Sequence, residues 1–147
     1  MNTNENFEIL FVEDGEDDAK LAIRALSRAN IANSILHVDD GQKALDFIFG
    51  QGDYAGRDIT NTPKLILLDL HLPKKNGFEV LNAIRNDERF SHIPVVLMTS
   101  SQEEEDITRG YNLGVNSFII KPVDFEKFAK SIVEVGYYWL FLNTVNN

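Results

Sequence analysis

Five short apolar runs, separated by longer amphipathic segments, form the main pattern along the chain. The runs lie at 8–12, 34–38, 65–69, 94–98 and 117–120. The third run is uninterrupted aliphatic sequence up to Asp69, which is typical of a strand buried on both faces of a parallel sheet. The segments between the runs repeat apolar residues at spacings of three and four, which predicts helices. The pattern therefore predicts about five alternating strand-helix units.

Polar residues at the start of each amphipathic segment are candidate helix caps. Asp17 or Asp18 is expected to cap the first helix, and the turn 39–41 is expected to cap the second. Ser101 to Glu104 fits a capping box, and Asp124 is expected to cap the last helix. The predicted apolar stripe of the first helix is Ala22, Ala25, Leu26 and Ala29.

The alternation of strands and helices predicts an α/β fold, with a parallel sheet covered by helices on both faces. Right-handed crossovers bring the carboxyl ends of all the strands to one edge, where such folds build their sites. The residues at those ends are Glu13, Asp14, Asp69, Thr99 and Lys121. We therefore expect these five side chains to converge.

Three carboxylates at one edge repel one another, by about 4 kcal/mol for a pair at 4 Å and an effective dielectric near 20. A Mg²⁺ ion with oxygen ligands would relieve that repulsion. With Lys121 and Thr99 nearby, the group would form a receptor for phosphate. Asp69 could then act as a nucleophile, while the cation and Lys121 neutralise the phosphoryl oxygens.

Each residue also has a plainer interpretation when it is considered alone. Glu13 and Asp14 would form a solvated turn, Thr99 would cap a helix, and Lys121 would end a strand. Their positions at the ends of successive strands favour a common site. His37 is expected at the surface or in packing.

Composition narrows the classes of partner and compartment. The 147 residues fit one domain, and the net charge of -9 argues against nucleic acid or an anionic membrane as partner. The chain has no cysteine, no basic and apolar leader, and no apolar run near the roughly 20 residues of a membrane span. We expect a cytoplasmic protein.

Several ordered motifs resemble the receiver domain of two-component response regulators. They lie at 11–14, 67–73, 76–77, 98–100 and 118–122 and cover nearly the whole chain. The resemblance implies a flavodoxin-like, doubly wound (βα)5 sandwich with strand order 2-1-3-4-5. It also implies a single receiver domain over residues 1–147, without an output domain.

The resemblance assigns a role to each residue of the site. Asp69 would accept a phosphoryl group from a phosphohistidine on a sensor kinase. Asp14, Asp69 and the backbone carbonyl of His71 would bind Mg²⁺, with Glu13 acting partly through water. Lys121 would contact the phosphoryl group. Such a protein is a phosphoacceptor and not an enzyme, with slow self-dephosphorylation at most.

The resemblance also implies a switch. Phosphorylation would draw the hydroxyl of Thr99 inward, and the ring of Phe118 would follow. The bond from Lys121 to Pro122 would be cis. His71 and Ser101 stand at positions that influence hydrolysis of the acyl phosphate in the family, and we expect His71 to change its lifetime.

Finer features resemble the small response regulators paired with cyanobacterial phytochromes. They are the long connection 51–63, the turn 72–77, the segment 99–107 and the aromatic end 137–140. The kinase would then be a red/far-red photoreceptor, and the photochemistry would belong to that partner.

The last helix carries more apolar residues than one face can bury. Those off its main stripe are Val133, Tyr137, Tyr138, Phe141 and Leu142. We expect a homodimer through the last helix, the last strand and the fourth helix. The plainer alternative is a helix that extends past the sheet and is covered by the terminus. With no output module, the protein would signal by contact or pass phosphate onward.

Two other functions share part of this pattern. A Mg²⁺-dependent phosphohydrolase of the haloacid-dehalogenase kind would also use Asp69, but His71 stands where its second Asp is expected. A receiver that serves only as a scaffold is the other alternative, and the complete set of site residues argues against it.

Overall fold

A computed structural model describes residues 7–30, 34–100, 104–121 and 125–142. Its five strands form one parallel sheet in the order β2-β1-β3-β4-β5. The strands are β1 (Ile9–Val12), β2 (Ile35–Val38), β3 (Leu65–Asp69), β4 (Val95–Thr99) and β5 (Ser117–Ile120). The predicted fold class and strand order are confirmed.

Within these described ranges, five α-helices connect or follow the strands. They are α1 (Glu16–Arg28), α2 (Gly41–Phe49), α3 (Gly77–Arg85), α4 (Glu104–Asn112) and α5 (Phe125–Tyr137). A 3-10 turn at Gly52–Tyr54 lies in the long connection, and a π-helical segment at Tyr138–Leu142 continues α5. None of the helices in the described part of the chain is long and apolar enough to cross a membrane.

The core lies in two layers because alternate strand residues face opposite sides of the sheet. On one side, Leu10, Ile66 and Leu97 pack among residues of α2 and α3. On the other side, Phe11 and Leu67 pack among residues of α1 and α5. The strands β1, β3 and β4 are buried along their whole length, so the residues at their carboxyl ends are held on a rigid base.

Two glycines allow the loop after β3 to fold closely over the edge of the sheet. A Cβ on Gly77 would lie 2.7 Å from the backbone oxygen of Asp69, and one on Gly41 would lie 1.8 Å from that of Lys75. The Gly77 N–H also donates to the Leu70 carbonyl at 2.8 Å. Because both approaches leave no room for a side chain, these glycines fix the loop that follows Asp69.

The helix starts differ in part from the predictions. The cap predicted for α1 is wrong, since Gly15 is the N-cap and Asp17 and Asp18 lie inside the first turn. Their charges still favour that turn through the helix dipole. Ala29 lies beyond the end of α1 and is exposed, so it is not part of the buried stripe. Asp40 caps α2, as predicted, by accepting from the Lys43 N–H at 2.7 Å.

The start of α3 carries a capping box that was not predicted from the sequence. The Asn76 side chain accepts from the Glu79 N–H, and the Glu79 side chain accepts from the Asn76 N–H. The predicted caps at Ser101 and Asp124, and the predicted cis bond to Pro122, lie outside the described residues.

Candidate functional site

Three carboxylates meet at the carboxyl edge of the sheet. Carboxylate oxygens of Glu13, Asp14 and Asp69 all lie within 4.8 Å of one another. The register explains the meeting, because Val12 in β1 pairs with Leu68 in β3, and the next residue of each chain segment is acidic. Glu13 is 1% exposed and Asp69 5% exposed, whereas Asp14 is open to solvent.

Lys121 enters the same cluster from the end of β5. Its backbone N–H donates to the Thr99 carbonyl at 2.7 Å, which holds the residue beside β4. Its Nζ donates to Glu13 and lies 3.5 Å from Asp69. Burial alone would lower the pKa of Lys121, but the Glu13 hydrogen bond and the nearby carboxylates outweigh burial and raise it. Lys121 is therefore a charged ammonium at neutral pH.

One ammonium does not compensate the charge at Asp69. Burial and then the charge of Glu13 raise the pKa of Asp69 to about 8, although Lys121 acts in the opposite direction. Among the described residues, the positive charge of Lys121 does not offset these two effects. Three carboxylates on neighbouring strand ends are also the ligands that hard divalent cations prefer. The residues of this edge therefore fit a divalent cation.

The two predicted switch residues lie on neighbouring strands. Thr99 ends β4 and is fully buried, and Phe118 in β5 pairs in register with Leu97. The Phe118 ring lies against α4, 5.6 Å from the ring of Tyr111. A Cβ on Gly110 would lie 2.5 Å from that ring, so α4 approaches Phe118 closely because residue 110 is glycine. A switch between Thr99 and Phe118 stays a prediction.

His71 lies two residues beyond the end of β3, and its side chain is exposed. A role for its backbone carbonyl as a cation ligand stays a prediction. So does its effect on the lifetime of an acyl phosphate.

The predicted interface residues fall into two groups. Tyr137, Tyr138 and Phe141 are each about half exposed, at 50%, 47% and 57%. Val133 differs from them in that it is partly buried against the core, and its part in an interface stays a prediction. The Trp139 indole N–H donates to the Ser117 hydroxyl at 3.3 Å, which anchors the π segment to β5.

Two residues near the site were missed as site residues. A ring nitrogen of His37, Nε2, lies 2.8 Å from the Glu13 carbonyl oxygen. Since a carbonyl only accepts, that nitrogen must carry a proton. Asp18 lies 3.6 Å from the Nζ of Lys121. No local sequence signal marks His37 as a site residue. The position of Asp18, four residues after Asp14, indicates that it lies near the carboxyl edge of the sheet once the start of α1 is known.

A parallel sheet of this order, with three carboxylates and a lysine at its carboxyl edge, defines the class of response regulator receiver domains. The family model described as "Response regulator receiver domain" matches residues 9–133. The chain belongs to that family.

Particular relatives align over nearly the whole chain. "Probable methanogenesis regulatory protein FilR2" of Methanothrix harundinacea is 40% identical over 97% of this chain and 90% of its own length. Response regulator Rcp1 of Synechocystis is 36% identical over 90% of this chain and 88% of its own. The solved Mn²⁺-bound structure of Rcp1 superposes with a TM-score of 0.85 at 35% identity, covering 95% of this chain and 98% of that one.

A second solved structure is that of the phosphorylated cyanobacterial phytochrome response regulator RcpA. It superposes with a TM-score of 0.87 at 34% identity and covers 97% of this chain and 100% of that one. This chain is therefore a response regulator receiver domain, and it is related to the phytochrome response regulator RcpA.

Proposed function

We propose that Asp69 accepts a phosphoryl group from the phosphohistidine of a sensor kinase. The observation that carries the proposal is the position of Asp69, buried at the centre of the edge between Glu13 and Lys121. An oxygen of the Asp69 carboxylate would form a bond to phosphorus as the bond from phosphorus to the histidine nitrogen breaks. The leaving nitrogen keeps the electron pair of that bond.

The surrounding residues would bind and orient the transferred group. Glu13, Asp14 and Asp69 would hold Mg²⁺, which supplies positive charge against the phosphoryl oxygens when it is bound. Lys121 would donate from its ammonium to one of these oxygens, and the Thr99 hydroxyl would donate to another. The relative with Mn²⁺ supports a divalent cation in such a site, and we propose Mg²⁺ for this chain.

The output of the protein would be a change in the surface formed by α4, β5 and α5. Thr99 would move toward the phosphoryl group, and Phe118 would move into the space that it leaves beneath α4. Tyr137, Tyr138 and Phe141 provide exposed apolar area on the last helical turns, which supports a homodimer through this surface. The chain would act as a cytoplasmic regulator, and its net charge of -9 supports a protein partner over nucleic acid or membrane.

We propose a phytochrome kinase as the source of phosphate. The resemblance to RcpA, a phytochrome response regulator, supports this partner. FilR2 is named for methanogenesis instead, so the choice of kinase needs its own test. Phosphotransfer from an autophosphorylated phytochrome should exceed transfer from an unrelated histidine kinase at equal concentration. Equal transfer from both would contradict a phytochrome as the dedicated partner.

Intact-mass measurement after incubation with acetyl phosphate and Mg²⁺ tests the receiver chemistry. The expected result is one added phosphoryl group that is labile to base and absent in Asp69→Asn, which keeps the size of the side chain. Without an adduct, release of free phosphate from small phosphoesters would support the phosphohydrolase. Neither adduct nor turnover would support the scaffold.

A further inference from the structure

Lys121 has a third carboxylate partner besides the two in the proposed site. Its Nζ donates to Glu13, lies 3.5 Å from Asp69 and lies 3.6 Å from Asp18. Asp18 comes from the first turn of α1, which begins immediately after the acidic end of β1. The ammonium, which has three N–H groups, therefore faces three carboxylates before any phosphate arrives.

The three carboxylates differ in how readily they can release the lysine. The side chain of Glu13 is 1% exposed and also accepts from the Gly15 N–H. Asp69 is the proposed acceptor and would become part of the acyl phosphate. The side chain of Asp18 is 29% exposed, so it can turn toward water. There it stays near the positive end of the α1 dipole.

We propose that Asp18 is a positioning residue that holds Lys121 in the unphosphorylated protein and releases it to the phosphoryl group. This inference rests on the proposed phosphorylation of Asp69. Phosphoryl oxygens must compete with the Asp18 carboxylate for the ammonium. Asp18 therefore slows phosphorylation and favours the resting arrangement of Lys121.

The neighbouring acidic residue offers a matched control. Asp17 stands in the same first turn and is exposed, and no ion pair joins it to Lys121 in the described part of the chain. Both acids lie in the first turn, where a negative charge complements the helix dipole. Asp17→Asn therefore removes the same charge from the same turn without removing a partner of Lys121.

The experiment follows the rate of phosphoryl gain by intact mass, with Mg²⁺ and limiting acetyl phosphate. A partly exposed ion pair is a weak interaction, so we expect Asp18→Asn to be phosphorylated about two- to five-fold faster than the wild type. Asp18→Ala should be phosphorylated as fast as Asp18→Asn, which controls for a hydrogen bond between the asparagine amide and Lys121. Asp17→Asn and Asp18→Glu should behave as the wild type. Circular dichroism establishes that each variant is folded.

A second background separates action through Lys121 from a general effect. In Lys121→Gln, adding Asp18→Asn should leave the rate unchanged, because the group through which Asp18 acts is gone. An equal acceleration by Asp17→Asn, or an acceleration that persists with Lys121→Gln, would overturn the inference. Equal rates of phosphorylation in the wild type and Asp18→Asn would overturn this inference but leave the proposed function intact. No adduct on the wild type would instead overturn the proposed function, and with it this inference.

Discussion

Replacing Asp69 by asparagine should stabilise the metal-free protein, and the gain should grow with pH. Burial and the charge of Glu13 raise the pKa of Asp69 from 3.8 to about 8. Between these values the folded protein binds a proton at Asp69 that the unfolded chain does not bind. The stability that this proton provides is therefore lost as pH rises toward 8, whereas an asparagine has no proton to lose.

The size of the effect follows from the range of pH. One proton corresponds to about 1.4 kcal/mol per pH unit, so a change from pH 5.5 to 8 gives at most about 3 kcal/mol. Relaxation of the charged side chains and an effective dielectric near 20 reduce that limit. We expect the free energy of unfolding of Asp69→Asn, relative to that of the wild type, to rise by about 2 kcal/mol across this range.

Urea unfolding with excess EDTA, followed by circular dichroism, measures this difference. Asp17→Asn removes one exposed carboxylate and serves as the control for net charge. Adding Mg²⁺ should reverse the order, because the cation stabilises the wild type by binding its folded state and asparagine is a poorer ligand. A difference that is constant with pH, or one that shrinks as pH rises, would refute the explanation of the raised pKa.

Three further predictions concern residues around the site and its proposed output surface. His37→Ala should weaken Mg²⁺ binding about three-fold in calorimetry because the Glu13 carbonyl loses its donor, and His37→Gln should retain binding. Equal Mg²⁺ affinities of His37→Ala and the wild type would contradict a positioning role for His37. Gly110→Ala should lower the free energy of unfolding in urea by about 1–3 kcal/mol, because the added methyl group meets the Phe118 ring. Adding Phe118→Leu should recover part of that loss, and full additivity of the two substitutions would contradict the contact. Tyr138→Asp should shift the proposed dimer to monomer in sedimentation, and unchanged behaviour would count against that interface.

The convergence of the site could be predicted because it depends on sheet topology and not on loop detail. The run ending at Asp69 is buried on every residue, as its uninterrupted aliphatic sequence predicts. Once strands and helices alternate, right-handed crossovers bring Glu13, Asp69 and Lys121 to one edge. The positions of these residues therefore follow from the pattern of apolar runs.

The contacts of α1 could not be predicted in the same way. Glu16, Asp17 and Asp18 are consecutive acids, and each is compatible with either a cap or a first turn. Only the start of the helix at Glu16 decides which of them points toward Lys121. The ion pair of Asp18 thus depends on a helix boundary, which is the least determined feature of a sequence pattern.

The last helix shows a second limit, which concerns residues at the border of its apolar stripe. Tyr137, Tyr138 and Phe141 lie off that stripe and are exposed, although the chain forms a π segment from Tyr138. Val133 also lies off the stripe, yet it is partly buried against the core. The spacing of apolar residues alone does not give the exposed fraction of such a border residue.

Borohydride trapping of the phosphorylated protein is the most direct test of the central claim. Borohydride reduces an aspartyl phosphate to homoserine, and peptide sequencing by mass spectrometry then locates the modified residue. After phosphotransfer from a histidine kinase with Mg²⁺, we predict homoserine at position 69 and unmodified Asp14. Homoserine at another position, or none after full transfer of phosphate, would contradict Asp69 as the acceptor.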